Sequence, residues 1–520
     1  MPCTTILVGR NASYDGSTLV ARNDDSGSGR YDPKRFVAVN PADQPRHYRA
    51  EISHIEIDLP DDPCRYAIVP NALPGRGVLA EAGANIHNVA MSATETIAVN
   101  ERVLGADPMV ELMPAVGTPG EPGYRPEAPG GIGEEDFISL VLPYVATARE
   151  GVLRLGALLE EHGTYEANGI AISDADEIWY VETIGGHHWI ARRVPDDCYA
   201  AIPNQLGLDD FDLDDALGEG REHLCSADLR EFIRDFDLDV TMDAAGPGFG
   251  AAPAGEGPRR FNPRALFGTR TEKDHIYNTP RAWYMHRYLN PSEDWDSPQA
   301  AYHPESDDLP WCRRPERKVS IEDIDALMSS HFEGTSYDPY GRKGDERTRR
   351  MYRPIGINRT GHLVALQVRG RVPEPLRSVM WIAYGSQPHT ALAPFYANVT
   401  GTPEYLSNTG AEVSTESLYW TNRIVAALAD AHHTDNSNAI EHYREDVLAH
   451  GHAHMHATDR AVAADAAGSG AAAMDATAPA LERANEAMAS WLKARTSKLL
   501  GEVLYTTSNL MRNAFRMSDR

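Results

Sequence analysis

The chain lacks any run approaching the roughly 20 apolar residues that a membrane-spanning helix needs, which excludes that class. Its start has no basic stretch followed by an apolar one, so no secretory leader is expected. Cysteine is scarce: the five residues Cys3, Cys64, Cys198, Cys225 and Cys312 are odd in number, scattered and without a Cys-x-x-Cys pair. That excludes a disulfide framework and points to a reduced, cytoplasmic protein. Positive charge is short as well. Lys and Arg total 49 against 76 Asp and Glu, a net charge of −27 that repels phosphate and argues against nucleic-acid binding.

Several catalytic and binding signatures are also missing. There is no Gly-x-x-x-x-Gly-Lys-Ser/Thr phosphate loop, no His-Glu-x-x-His zinc pair and no Gly-x-Ser-x-Gly elbow. Asp210, Asp212 and Asp214 alternate as in a calcium loop, but Asp215 replaces the required glycine and Arg221 the final glutamate. A solvated acidic turn fits better. Paired His187 and His188 read as structural, no fixed-period repeat is present, and no metal site is expected.

What the chain does have is a cysteine at position three. Thr4 to Val8 is β-branched and reads as a strand, and Asp15-Gly16 lies in a hairpin turn before a second strand from Thr18. A turn near Ser13 sets Cys3 opposite Arg22 to Asp24, with cross-strand Cβ atoms about 4.5–5.5 Å apart. Loss of Met1 and Pro2 would give Cys3 both a thiol and a free α-amine, with ordinary pKa values of about 8.5 and about 7.7–8.0. Nucleophile and base would then sit on one residue. The plain alternative is a small buried hydrophobe at a strand start.

Short strand-like runs dominate the first four hundred residues, including 66–69, 89–92, 169–172, 177–182 and 189–192. Apolar spacing predicts a helix over 136–161, and a Ser cap with early acids predicts one over 320–329. Gly- and Pro-rich stretches at 117–133 and 244–263 read as surface loops. From about Ser414 the chain turns helical, with candidates at 416–433 and 480–512. Between them, His450 to His456 alternates with other residues and reads as a solvated linker, followed by a low-complexity Ala-rich tract.

The opening Cys3-Thr4-Thr5-Ile6-Leu7-Val8-Gly9, the Asp15-Gly16-Ser17-Thr18 turn and Ala21-Arg22-Asn23-Asp24-Asp25 resemble the dipeptidase A family of N-terminal-nucleophile cysteine peptidases. Similar blocks follow at Tyr277–Tyr284, His331–Tyr340, Arg353–Thr360 and Pro394–Tyr396. Secernins are related, and penicillin V acylase and bile salt hydrolase more distantly so. The resemblance implies an α+β fold with a four-layer αββα core over residues 3–405, carrying loop insertions near 117–133 and 244–263, and a helical region over 414–520. It implies hydrolysis of dipeptides, as small peptide substrates, without a cofactor, and leaves a homo-oligomer open. By the same resemblance Cys3 is the nucleophile, Arg22, Asp25, Asn204 and Arg281 complete the catalytic set, and Thr94 lies at an oxyanion contact. Because a dipeptidase reads both substrate termini, a carboxylate such as Asp25 or Glu95 is expected to take the ammonium, and an arginine the carboxylate. An acylase of another linear amide and a secernin-like binding protein are the competing readings. Met1 removal alone leaves Pro2 first, so exposing Cys3 needs a second cut.

Overall fold

A computed structural model describes residues 3–27, 32–240, 259–463 and 468–512, except the side chain of Thr94. Two antiparallel sheets dominate it. The first runs, from edge to edge, Cys312–Arg313, Tyr199–Ile202, Thr4–Val8, Thr18–Asp25, Thr360–Val368, Ser378–Tyr384 and Ala393–Tyr396. The second runs His223–Cys225, His188–Arg193, Ile178–Ile184, Asn168–Ser173, Ala90–Thr96, Glu81–Asn85, Tyr66–Ile68 and Val37–Val39.

The period-2 alternation of side chains sorts each central strand between two cores. Leu7, Val20, Val364 and Leu366 of the first sheet share a cluster with Ala82, Ala84, Ala90 and Ala171 of the second. Ile6, Val8, Leu19 and Ala21 point the other way, against Trp283 and Met285 of the helix Thr279–Leu289 and Leu327 of the helix Ile321–Met328. On the far face of the second sheet, Met91, Ile170, Ile172 and Val181 pack on Phe137, Val152, Leu155 and Leu159.

Local signals set several boundaries. Thr4 pairs with Asn23 and Thr5 with Arg22, the expected hairpin register, around a turn where Gly16 takes φ 84°. Ser320 and Asp323 form a reciprocal capping box on the helix Ile321–Met328, as the Ser cap predicted. The helix expected over 136–161 divides into Phe137–Val141 and Ala148–His162, because Pro143 starts a tight turn and Thr147 caps a fresh helix. The loop over 117–133 is exposed through Pro129, but Gly130 to Gly133 are buried, a departure from the expected surface run. Residues 244–258 of the second expected loop lie outside the described residues.

The C-terminal part forms helices Leu418–Asp430, His433–Val462 and Gly470–Asn509. The last starts earlier than expected and contains Pro479, which faces solvent, where the carbonyl it leaves free can be hydrated. The histidine-rich segment is not a linker: it lies inside the helix His433–Val462. His450 stacks on Trp491 at 3.9 Å, His452 Nε2 meets Glu322 Oε1 at 2.6 Å, and His454 Nε2 meets the Ala484 carbonyl at 2.9 Å. Gly451 allows this close approach, since a Cβ there would lie 2.8 Å from Pro394 Cδ and 3.2 Å from Trp381. Gly451→Val is therefore expected to cost about 1–3 kcal/mol through overpacking. A lowered urea midpoint at unchanged slope would show it; an unchanged midpoint would refute the tight contact.

Candidate active site

Strand parity places the candidate residues on two sides of the first sheet. Cys3, Thr5 and Leu7 share one parity, as do Val20, Arg22 and Asp24, and the apolar members of both sets face the second sheet. Thr4, Asn23 and Asp25 share the opposite parity. The set Cys3, Arg22 and Asp25 is thus split across the sheet.

On the side facing the second sheet, Cys3 is wholly buried. Arg22, 1% exposed, reaches across to Glu81 Oε2 at 3.4 Å and Glu95 Oε2 at 3.8 Å. Thr5 Oγ1 donates to Glu95 Oε2 at 2.7 Å. Lys34 closes this side by pairing with Asp24 at 2.9 Å. Glu95 sits beside a register shift between Ala93 and Glu95, an irregularity that re-aims side chains next to sites. Thr94 occupies the same strand, and its side chain lies outside the described residues.

Burial pushes the Cys3 thiol well up, and Arg22 pulls it back toward the thiolate. Glu81 and Glu95 oppose that pull. Burial also raises Glu95 to about 7 against the attraction of Arg22, and raises Glu81 well above the ordinary carboxylate range with help from Glu134. For Arg22 itself, burial disfavours the charge, but Cys3, Glu95 and Glu81 hold its pKa above the usual value. Cys3, Glu81 and Glu134 each offer a ligand-type atom, and these atoms lie within 4.8 Å of one another. Among the described residues, they are a group that could hold a metal ion.

The opposite side is cationic. Asp25 accepts from Arg353 Nη2 and, at 2.5 Å, from Thr360 Oγ1. Asn23 Nδ2 donates to the Met328 carbonyl at 2.7 Å. Arg281, from the first turn of the helix Thr279–Leu289, donates to the Cys3 carbonyl and to Asn204 Oδ1, the latter at 2.8 Å. Asn204 Nδ2 in turn donates to the Thr96 carbonyl at 2.9 Å. Arg281 and Arg353 both lie over the Tyr277 ring, at 5.3 and 5.2 Å. Burial, with Arg353 beside it, lowers Arg281 to about 9.

The structure thus brings Cys3, Arg22 and Glu95 together on one side, and Arg281 and Asn204 onto the Cys3 backbone. Asp25 belongs to a separate ion pair on the other side of the strand. Sequence reasoning missed Glu81, Glu134 and Lys34 entirely, and left Arg353 without a role although its block was singled out. Elsewhere, Asp212 caps the short helix Leu213–Ala216 and Asp210 pairs with Arg260, in keeping with an acidic turn. His187 and His188 both bond Asp107.

Comparison with known proteins bears on what such a site does. At 53% identity, aligned over 551 residues and 100% of both chains, the protein is similar to a dipeptidase of Bifidobacterium longum. It is 46% identical over 517 residues to a probable dipeptidase A of Streptococcus pyogenes, covering 99% of this chain and 98% of the relative. It is 40% identical over 520 residues to dipeptidase A of Lactobacillus helveticus, covering 99% of each. Residues 2–446, which take in both sheets and every residue of the site, match the description Peptidase family C69, and the chain belongs to that family.

Proposed function

We propose that the protein is a dipeptidase whose nucleophile is Cys3, exposed as the first residue by removal of Met1 and Pro2. The observation that carries this reading is Arg22, which lies across the hairpin from the strand of Cys3, reaches Glu81 and Glu95 on the face that Cys3 shares, and draws the buried thiol toward the thiolate. The names of the relatives support the substrate class. Two stacked antiparallel sheets with helical clusters on their outer faces support an αββα N-terminal-nucleophile architecture. Residues 3–405 form the catalytic unit in this reading, with 414–520 as a helical cover. Among the described residues no helix is long and apolar enough to cross a membrane.

In the proposed reaction the Cys3 amine takes the thiol proton and the thiolate attacks the peptide carbonyl, with Arg22 balancing the sulfur's charge. Backbone donors stabilise the oxyanion together with Asn204, whose Nδ2 also donates to the Thr96 carbonyl. One such donor is worth about 2.7–4 kcal/mol of barrier. Arg281 acts through the Cys3 carbonyl and is a positioning residue. The amine product leaves with a proton, and water then releases the acyl group from sulfur.

Amino-acid release from free dipeptides, set against release from N-acyl amino acids, tests the substrate class. A preference of at least tenfold in kcat/KM for the free dipeptide is expected. Equal or faster cleavage of the acylated compounds would make the protein an acylase instead.

A further inference from the structure

We infer that Cys3, Glu81 and Glu134 form an inhibitory site for a thiophilic divalent cation, with Zn2+ as its best occupant. The inference rests on the reading of Cys3 as the exposed first residue. One thiol and two carboxylates, all buried, present ligand atoms within 4.8 Å of one another. Bonds of about 2.3 Å to sulfur and about 2.0–2.2 Å to oxygen put the ligands of one ion roughly 3.5 Å apart. The set closes on an ion with a contraction of roughly 1.3 Å at most.

The three residues come from separate places. Cys3 heads the strand Thr4–Val8, Glu81 opens the strand Glu81–Asn85 of the other sheet, and Glu134 follows the buried run Gly130 to Gly133. An ion here would tie the two sheets and that loop together.

Removal of Pro2 adds a fourth donor. The nitrogen and sulfur of one cysteine close a five-membered chelate ring on a metal, and two carboxylate oxygens complete a tetrahedral set. A thiolate with an amine selects Zn2+ or Cd2+ over Mg2+ and Ca2+. Arg22 already meets Glu81 Oε2 at 3.4 Å, so the ion takes that carboxylate in competition with the guanidinium. Glu95, on the other side of Arg22, is wholly buried and keeps its Oε1 without a hydrogen-bond partner among the described residues. Coordination displaces one proton from the thiol, and one from the amine when it is charged, into solvent; no electrons are transferred. With sulfur and nitrogen both bound, the thiolate cannot attack and the amine cannot take a proton, so the bound ion silences the enzyme until a chelator removes it.

The test uses the full-length purified protein with Cd2+ as a spectroscopic probe and Zn2+ as inhibitor. One equivalent of Cd2+ is expected to raise a thiolate-to-metal charge-transfer band that Cys3→Ser lacks. Zn2+ is expected to abolish dipeptide cleavage, a chelator to restore it, and millimolar Mg2+ to do neither. Glu134→Gln is expected to weaken Cd2+ binding at least tenfold. A band that survives Cys3→Ser would overturn the site. So would unchanged Cd2+ affinity in both Glu81→Gln and Glu134→Gln, which would leave a thiol adduct alone. The N-terminal mass of the same sample separates the two claims. If Cys3 is first, dipeptides are cleaved and no band forms, the metal site fails and the enzymatic reading stands. If an active sample retains Pro2, the processing fails, and the chelating amine fails with it.

Discussion

Cys3→Ala is expected to lower dipeptide cleavage by at least about three orders of magnitude while the protein stays folded. The alanine removes one sulfur from a buried position, and the resulting small cavity costs on the order of 1 kcal/mol. The chemistry loses far more. Among the described residues, no other side chain on the inner side of the sheet is a nucleophile flanked by Arg22: Thr5 is engaged with Glu95, and the neighbouring groups are carboxylates. Circular dichroism and a urea curve would establish folding, and initial rates on an unblocked dipeptide would establish the loss. A folded variant that keeps a tenth of the wild-type rate would remove Cys3 from the reaction. Cys3→Ser sharpens the result, since a hydroxyl offers a far weaker acid in the same place and is expected to lose nearly as much.

The parts of this site that were legible in the sequence are the local ones. The hairpin that brings Arg22 to the strand of Cys3 follows from a turn signal and a count of residues, and Thr5 does pair with Arg22. The capping box at Ser320 is likewise local. Parity along the same strands also implied that Arg22 and Asp25 face opposite ways, a consequence that motif matching obscured. Glu81 and Glu134 reach Cys3 only because one sheet stacks on another, and nothing in their own neighbourhoods marks them. Glu81 adopts φ 57°, unusual for its type, but that becomes visible only in the fold. The histidine-rich segment failed for a different reason. Alternating His drew attention to a period of two, while the buried residues Val447, Gly451, Met455, Thr458 and Val462 carry a helical period. Gly451 looked like a linker residue because its purpose, room for Pro394 and Trp381, depends on two strands more than fifty residues earlier.

Asp25→Ala is expected to cost about 3–5 kcal/mol of stability, the usual result of stranding a buried charge. Asp25 is fully buried and the Arg353 side chain is 7% exposed, so water can do little to replace the lost carboxylate. Arg353 also donates to Thr4 Oγ1 at 3.2 Å and shares the Tyr277 ring with Arg281. Both guanidinium groups would then lose the Asp25 carboxylate that attracts them. Arg281, already lowered to about 9 by burial and by Arg353, would fall further. Asp25→Asn keeps the shape and an acceptor for Thr360, and is expected to cost less. The double variant Asp25→Ala with Arg353→Met removes the stranded charge and is expected to regain part of the stability lost by the single one. Urea unfolding of all three variants decides the matter. If the single variant loses under 1 kcal/mol, or the double variant is no more stable than the single, the pair is not the electrostatic anchor of this side of the sheet, and Asp25 must owe its place to the chemistry at Cys3.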